Sequence, residues 1–269
     1  MSLSIQGKTA IVTGAAAGIG LAIARHFLDK GANVMCADID EARLENEFGE
    51  EARSEGALRF FGGDLREKLT IANLLSATID AFDRVDIVVN ASRQFMVSDP
   101  LDPAADGVEL MLQHNLMSSL RLSQLTAKRM IQLAERNGTS GGPIGSIVNL
   151  SSIAACRTQP QLLAYSISSA AVEQMTRSLA VALAPKGIRV NAVAFGSVMS
   201  ASLQGQMKEH PDYRTAILNG TPLHRIAAPA ELAETVQFLS SDAAGFMTGQ
   251  VLMLDGGRSL LDTVVAPAH

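Results

Sequence analysis

Thr13-Gly14-Ala15-Ala16-Ala17-Gly18-Ile19-Gly20 lies between a β-branched run, Thr9–Thr13, and a stretch of helical apolar spacing over 19–30 that stops at Gly31. A strand opening through three glycines into a helix is a specific arrangement. Gly14 allows a sharp turn, Gly18 lets backbone come close to a bound group, and Gly20 lets the helix pack against the strand it follows. The helix start then offers unpaired N–H groups and the positive end of its dipole to an anion such as a pyrophosphate. Gly14, Ala17, Gly18, Ile19 and Gly20 are therefore candidate cofactor-binding residues.

Outward from this turn the alternation continues. Apolar runs at Asn33–Asp38, 58–61, 86–90, 144–150, 188–194 and 250–254 read as strands. Amphipathic stretches at 41–55, 66–82, 106–136, 161–183 and 231–240 read as helices. The segment 137–143, NGTSGGP, is a Gly-rich loop, and 197–220 is polar and mobile in composition. Strand–helix alternation of this kind implies a parallel sheet covered on both faces. A closed (β/α)8 barrel would need eight units against about seven strands here, and the Gly-rich first turn favours the open sheet. With no linker or repeat, the expected architecture is one α/β domain over residues 1–269: Rossmann-type, doubly wound, with seven parallel strands flanked by helices.

Composition narrows the function classes. The 269 residues are 47% hydrophobic and 18% charged, with a net charge of −5, which is not a nucleic-acid footprint. The two cysteines, Cys36 and Cys156, cannot form a disulfide framework and suit a reducing, cytoplasmic setting. The first residues lack a basic segment followed by an apolar run, and no apolar stretch is long enough to span a membrane. The histidines at 26, 114, 210, 224 and 269 have no metal-ligand spacing, so no metal site is expected. Cys36, in an apolar strand, reads as core.

Asp38 closes the second strand, 18 residues after Gly20. A carboxylate there can accept from both hydroxyls of an adenosine ribose and repels a 2′-phosphate, so NAD is expected over NADP. The same residue could instead cap the following helix.

The motifs together resemble the short-chain dehydrogenase/reductase family from Gly7 to about Gly257. They are TGAAAGIG at 13–20, GDL at 63–65, NAS at 90–92, HN at 114–115, IVNLSS at 147–152, Tyr165, IRVNAVAFGSVMS at 188–200 and TGQVLMLDGG at 248–257. The resemblance implies a nicotinamide-dependent oxidoreductase acting on a small alcohol or carbonyl compound, usually assembled as a tetramer. It implies that Asp64 and Leu65 touch adenine and that Asn90, with Ala91 and Ser92, lies beside the inner ribose. Gly196, Val198 and Ser200 would lie at the nicotinamide, and Asn115 would hold a water on the proton path. Ser152 would hydrogen-bond the substrate oxygen, and Tyr165 would be the general acid/base.

Where the family carries a lysine four residues after this tyrosine, the chain reads Tyr165-Ser166-Ile167-Ser168-Ser169. Residues four apart share a helix face, so an ammonium there stands beside the phenol and favours tyrosinate. Two unit charges about 4 Å apart at an effective dielectric near 20 attract by roughly 4 kcal/mol, an upper bound on what is lost. Ser169 supplies neither charge nor reach. Two further departures lie nearby: Ser92 where a glycine is usual, and Phe195-Gly196 where Pro-Gly is usual. Arg157, on the loop between Ser152 and Tyr165, is a candidate replacement cation. Arg93, next to Ser92, is a candidate for an acidic substrate group. The plainer reading of both is a solvated surface residue.

Met199, Leu203, Met207 and Tyr213 are candidates for an apolar pocket wall. Two functions are consistent with this sequence. One is an NAD-dependent dehydrogenase of slow or atypical turnover. The other is a catalytically inactive homologue serving as a structural or regulatory subunit of a hetero-oligomer, a role for which the long helices 106–136 and 161–183 would supply the interface.

Overall fold

A computed structural model describes residues 2–52, 56–139 and 141–262. Strands β1 (Thr9–Thr13), β2 (Asn33–Asp38), β3 (Leu58–Gly62), β4 (Ile87–Asn90), β5 (Gly145–Ser152), β6 (Ile188–Phe195) and β7 (Val251–Leu254) form one sheet in the order β3-β2-β1-β4-β5-β6-β7. Every neighbouring pair is parallel. β1 is buried along its whole length and pairs with β2 on one side (Val12 opposite Cys36) and β4 on the other (Val12 opposite Val89). The strand order reverses direction between β1 and β4, and a crevice opens there at the carboxyl ends of the strands.

The helices are α1 (Gly18–Asp29), α2 (Glu41–Ala52), α3 (Lys68–Phe82), α4 (Val108–Met111), α5 (Ser118–Arg136), α6 (Leu163–Leu183), α7 (Ala201–Glu209), α8 (Asp212–Asn219) and α9 (Pro229–Ser240). One core packs Ile23 and Phe27 of α1, Leu44 and Phe48 of α2, and Leu232 and Val236 of α9 against one sheet face. The other packs Ile71 and Leu74 of α3, Leu122 and Met130 of α5, and Ala180 of α6. Burial on both faces explains why runs such as Ile87–Asn90 carry no polar alternation.

Two elements depart from the sequence reading. The continuous helix expected over 106–136 is broken by a π-helical turn, Leu112–Met117, between α4 and α5. Turns of this kind concentrate at functional sites, because the inserted residue re-aims a side chain that a regular helix would direct elsewhere. The polar stretch 197–220 holds α7 and α8 rather than irregular chain. The Ser200 hydroxyl caps α7 by accepting from the Leu203 amide. Neither helix buries a residue, so their composition carries no strong periodic signal. The end of the 41–55 helix and His269 lie outside the described residues.

Candidate active site

The glycine turn is held by contacts that no larger residue would permit. Gly14 has φ +68°, and a Cβ there would come within 2.9 Å of the Ser92 Cα. At Gly20 a Cβ would come within 2.1 Å of the Gly14 carbonyl oxygen, so the start of α1 sits directly on the turn. The Thr13 hydroxyl oxygen accepts from the amides of Ala91 (3.0 Å) and Ser92 (2.9 Å), tying the end of β4 to the end of β1. Thr13 lay inside the quoted motif, but its role as a clamp depends on a loop 78 residues away. Helix α1 is preceded by Ala17 at its cap position, with no side-chain cap and no acid in its first turn, so its first N–H groups have no competing side chain.

A groove of about 580 Å³ runs from this turn across the carboxyl ends of the strands. Gly14, Ala17, Gly18, Ile19 and Gly20 line it together with Asp38, Asp64, Leu65, Ala91, Ser92, Tyr165 and Ser200. Asp38 accepts from the Ala16 amide at 3.1 Å and from the Asp40 amide at 3.1 Å. The cap of α2 is Asp40, whose carboxylate accepts from the Arg43 amide at 3.0 Å; Asp38 is not that cap. Asp64 is gripped by the Arg66 guanidinium (Nε at 2.9 and 3.0 Å), which holds its carboxyl below the ordinary carboxylate range. His114 faces Arg66 at 3.3 Å, and partial burial together with that guanidinium holds its imidazole below its usual value.

Asn90 does not line the groove. It is buried, and its Nδ2 donates to Ser123 Oγ (2.9 Å) and Asn149 Oδ1 (2.7 Å) beneath the strand ends. Gly196 and Val198 line a neighbouring cavity of about 400 Å³ instead, together with Ser152 and Leu203. Met199, Met207 and Tyr213 line neither space, and Tyr213 stacks on His210 at 4.6 Å. Tyr165, Phe95, Phe195 and Ser200 line both groove and cavity, so the phenol stands at their junction. Phe95 packs edge-on against the Tyr165 ring, centroids 5.2 Å apart, and nothing in its local sequence signals this.

Asn115, in the π-helical turn, is fully engaged. Its Oδ1 accepts from the Gln94 amide (2.8 Å), and its Nδ2 donates to the Gln94 carbonyl (3.0 Å) and to Ser168 Oγ (3.1 Å). Ser168 in turn donates to the Tyr165 carbonyl at 3.0 Å, so Asn115 fixes the start of α6 against the loop after β4. Ser152 Oγ accepts from the Ala154 amide at 3.2 Å, which leaves its O–H to donate into the cavity. Ser169 is buried, and among the described residues its hydroxyl has no hydrogen-bond partner.

The cation absent at position 169 is present elsewhere. Arg93 is half-buried and donates through Nη1 to the Ser151 carbonyl (2.7 Å) and through Nη2 to the Tyr165 phenol oxygen. Its guanidinium carbon lies 5.0 Å from the Tyr165 ring centre and 5.1 Å from that of Phe195. Phe195, standing where Pro is usual, thus forms a platform for this side chain. Arg157 is exposed where it lines the cavity and makes no hydrogen bond to the phenol. The surface reading of Arg93 fails, and with it the premise of a phenol lacking a neighbouring positive charge.

Among the described residues no three His, Cys, Asp or Glu side chains gather as a metal ion requires, and no helix is long and apolar enough to cross a membrane. Cys36 is buried in β2, and burial pushes its thiol far above its ordinary value.

Comparison with known proteins agrees with this geometry. A family model described as enoyl-(acyl carrier protein) reductase matches residues 14–259. L-fucose dehydrogenase of Mus musculus is 33% identical over 262 residues, covering 95% of this chain and 89% of the relative. The 7α-hydroxysteroid dehydrogenase of Escherichia coli K12 is 32% identical, covering 95% of this chain and 96% of the relative. A solved 7α-hydroxysteroid dehydrogenase in complex with NADH and 7-oxo glycochenodeoxycholic acid superposes with a TM-score of 0.85 at 32% identity, covering 95% of each chain. The crystal structure of gox2181 superposes with a TM-score of 0.86 at 30% identity, covering 96% of this chain and 98% of that one.

Proposed function

The chain belongs to the short-chain dehydrogenase/reductase family of nicotinamide-dependent oxidoreductases, and from that premise we propose an NAD-dependent enzyme that interconverts a secondary alcohol and its ketone. The observation that carries this reading is the position of the Tyr165 phenol at the junction of the glycine-turn groove and the cavity that holds Ser152.

The residues present fit such a cofactor. The cradle at Gly14 tolerates no Cβ, the start of α1 leaves its N–H groups uncapped, and Asp38 stands at the end of β2 to accept from ribose hydroxyls. When bound, a nicotinamide ring supplies the hydride acceptor. In the oxidative direction Ser152 would donate to the substrate oxygen and the Tyr165 phenolate would take the hydroxyl proton. In reduction, the phenol O–H returns the proton to the developing alkoxide. Asn115 acts indirectly, by holding the backbone that carries Tyr165. We read one domain over residues 1–269, a cytoplasmic setting and a homotetramer as the frame for this activity.

The alternative, an inactive subunit of a hetero-oligomer, drew its support from the departures at Ser169, Ser92 and Phe195; the contact from Arg93 answers the first, and Phe195 is the platform on which that guanidinium lies. The test is turnover of a panel of secondary alcohols and ketones with NAD and NADH. Tyr165→Phe should lower kcat by about a hundredfold or more while NADH binding, read by fluorescence, stays near the parent value. A Tyr165→Phe enzyme as fast as the parent overturns the assignment.

A further inference from the structure

We propose that Arg93 is the positioning residue that supplies the positive charge to Tyr165, taking over from the loop after β4 a task that position 169 of α6 does not perform. This inference rests on the reading of Tyr165 as the proton-transfer group.

Four observations carry it. The phenol oxygen accepts from Arg93 Nη2, so the cation contacts the atom on which charge develops. That oxygen still has its own O–H to pass to a substrate. The second arm of the fork is tied to the Ser151 carbonyl at 2.7 Å, one residue before Ser152, so the guanidinium is aimed rather than loosely solvated. The rings of Tyr165 and Phe195, each about 5 Å away, enclose it between two aromatic groups. Finally, no carboxylate among the described residues lines the cavity beside the phenol that would neutralise this charge.

The remaining charged groups around Tyr165 are few. Arg157 and Arg258 line the same cavity, and the Arg258 Nη1 donates to Ser197 Oγ at 3.3 Å. Glu173, the next acid along α6, accepts from Ser151 Oγ at 3.2 Å and pairs with Arg177 at 3.4 Å, behind β5. Asp38, Arg43, Asp64, Arg66 and His114 line the groove. Ser169 is neutral and buried, and its hydroxyl makes no hydrogen bond to the phenol, so α6 offers no competing cation at the lysine position. A fixed cation on the phenol oxygen stabilises the phenolate in the proton transfer, the contribution for which a neighbouring ammonium is otherwise used.

The chain has two tyrosines and no tryptophan, so tyrosinate absorbance in a Tyr213→Phe background reports Tyr165 alone, with or without cofactor. Arg93→Gln in that background should move the appearance of tyrosinate to higher pH. In the otherwise native enzyme it should lower kcat by about a hundredfold and shift the pH–rate profile in the alkaline direction. Ser169→Lys added to Arg93→Gln should recover both readouts. Arg93→Lys, which keeps the charge without the fork, should fall between parent and Arg93→Gln and serves if the double variant does not fold.

An unmoved titration in Arg93→Gln overturns the assignment. So does faster turnover with tighter NADH binding, which would make Arg93 an obstruction. A parent chain that shows the titration difference but oxidises no alcohol supports the Arg93 assignment and sinks the dehydrogenase reading alone.

Discussion

Asp38 illustrates how one carboxylate serves both the turn and the ligand. It accepts from the Ala16 amide within the glycine turn and also lines the groove, where Arg43 of α2 stands at the same end. A 2′-phosphate there meets a carboxylate first, and like charges brought together in this way cost several kcal/mol. Asp38→Asn keeps the hydrogen-bond acceptor and removes the charge, leaving Arg43 unopposed. The expected result is a fall of about tenfold or more in the ratio of kcat/KM with NAD to that with NADP. An unchanged ratio would mean that Asp38 only pins Ala16. Tyr165, Ser152 and Asn115 stood out in the sequence only through the family resemblance, because each sits in one of its motifs. Arg93 had no such motif. Its place beside Ser92 marks it only as near the crevice.

At the scale of single elements, α1 and α9 make contrasting predictions. The first turn of α1 lies on the strand it follows, with 2.1 Å available between a Cβ at position 20 and the Gly14 carbonyl oxygen. Gly20→Ala must therefore push the helix off the turn. Chemical denaturation should register a loss of about 3 kcal/mol, the upper range for overpacking a tight site, and NADH binding should weaken with it. Helix α9 depends on charge. Glu231 accepts from the Ala228 amide at 2.8 Å, the acidic half of a capping box, and pairs with both arms of Arg225 at 2.6 Å.

These contacts lower the Glu231 carboxyl from 4.5 to about 2, with the Arg225 hydrogen bonds as the largest cause. A depressed folded-state value means the stabilisation is present above the unfolded value and is lost as pH falls from 4.5 toward 2. The pair is largely exposed, so solvent screening keeps its contribution small. Melting temperature against pH should therefore fall less steeply on the acid side in Glu231→Gln than in the parent, with the two curves differing most above about pH 5. Parallel curves would show that the pair contributes nothing to folding.

For the whole molecule, the sheet order puts every proposed functional side chain at one end. Gly14 follows β1, Asp38 ends β2, Ser92 and Arg93 follow β4, Ser152 ends β5 and Phe195 ends β6. Parallel connection is the reason: each crossover returns the chain to the same side, so the carboxyl ends of all the strands meet along one edge. Helix α6 starts at this end, packs along one face of the sheet and presents Ile167 and Val181 to solvent in the isolated protomer. Apolar side chains on a long outer helix suit a subunit interface. Light scattering should accordingly give a mass near four times the 28.3 kDa protomer. A monomer at micromolar concentration would remove the homotetramer from the proposal.

Sequence alone determined the parallel sheet and the glycine cradle, because each is encoded in residues close together along the chain, while the proposed roles of Tyr165 and Ser152 came from the family resemblance. Periodicity, turn chemistry and fixed spacing are local properties. It also showed that position 169 lacks a cation. Only the tertiary structure decided what replaces it, since Arg93 and Tyr165 are 72 residues apart and meet through the packing of two loops at the end of the sheet. Hydrogen bonds across the carboxyl ends of separate strands leave no periodic trace, and so a substitution that looks disabling in one dimension is answered by a side chain arriving from another strand.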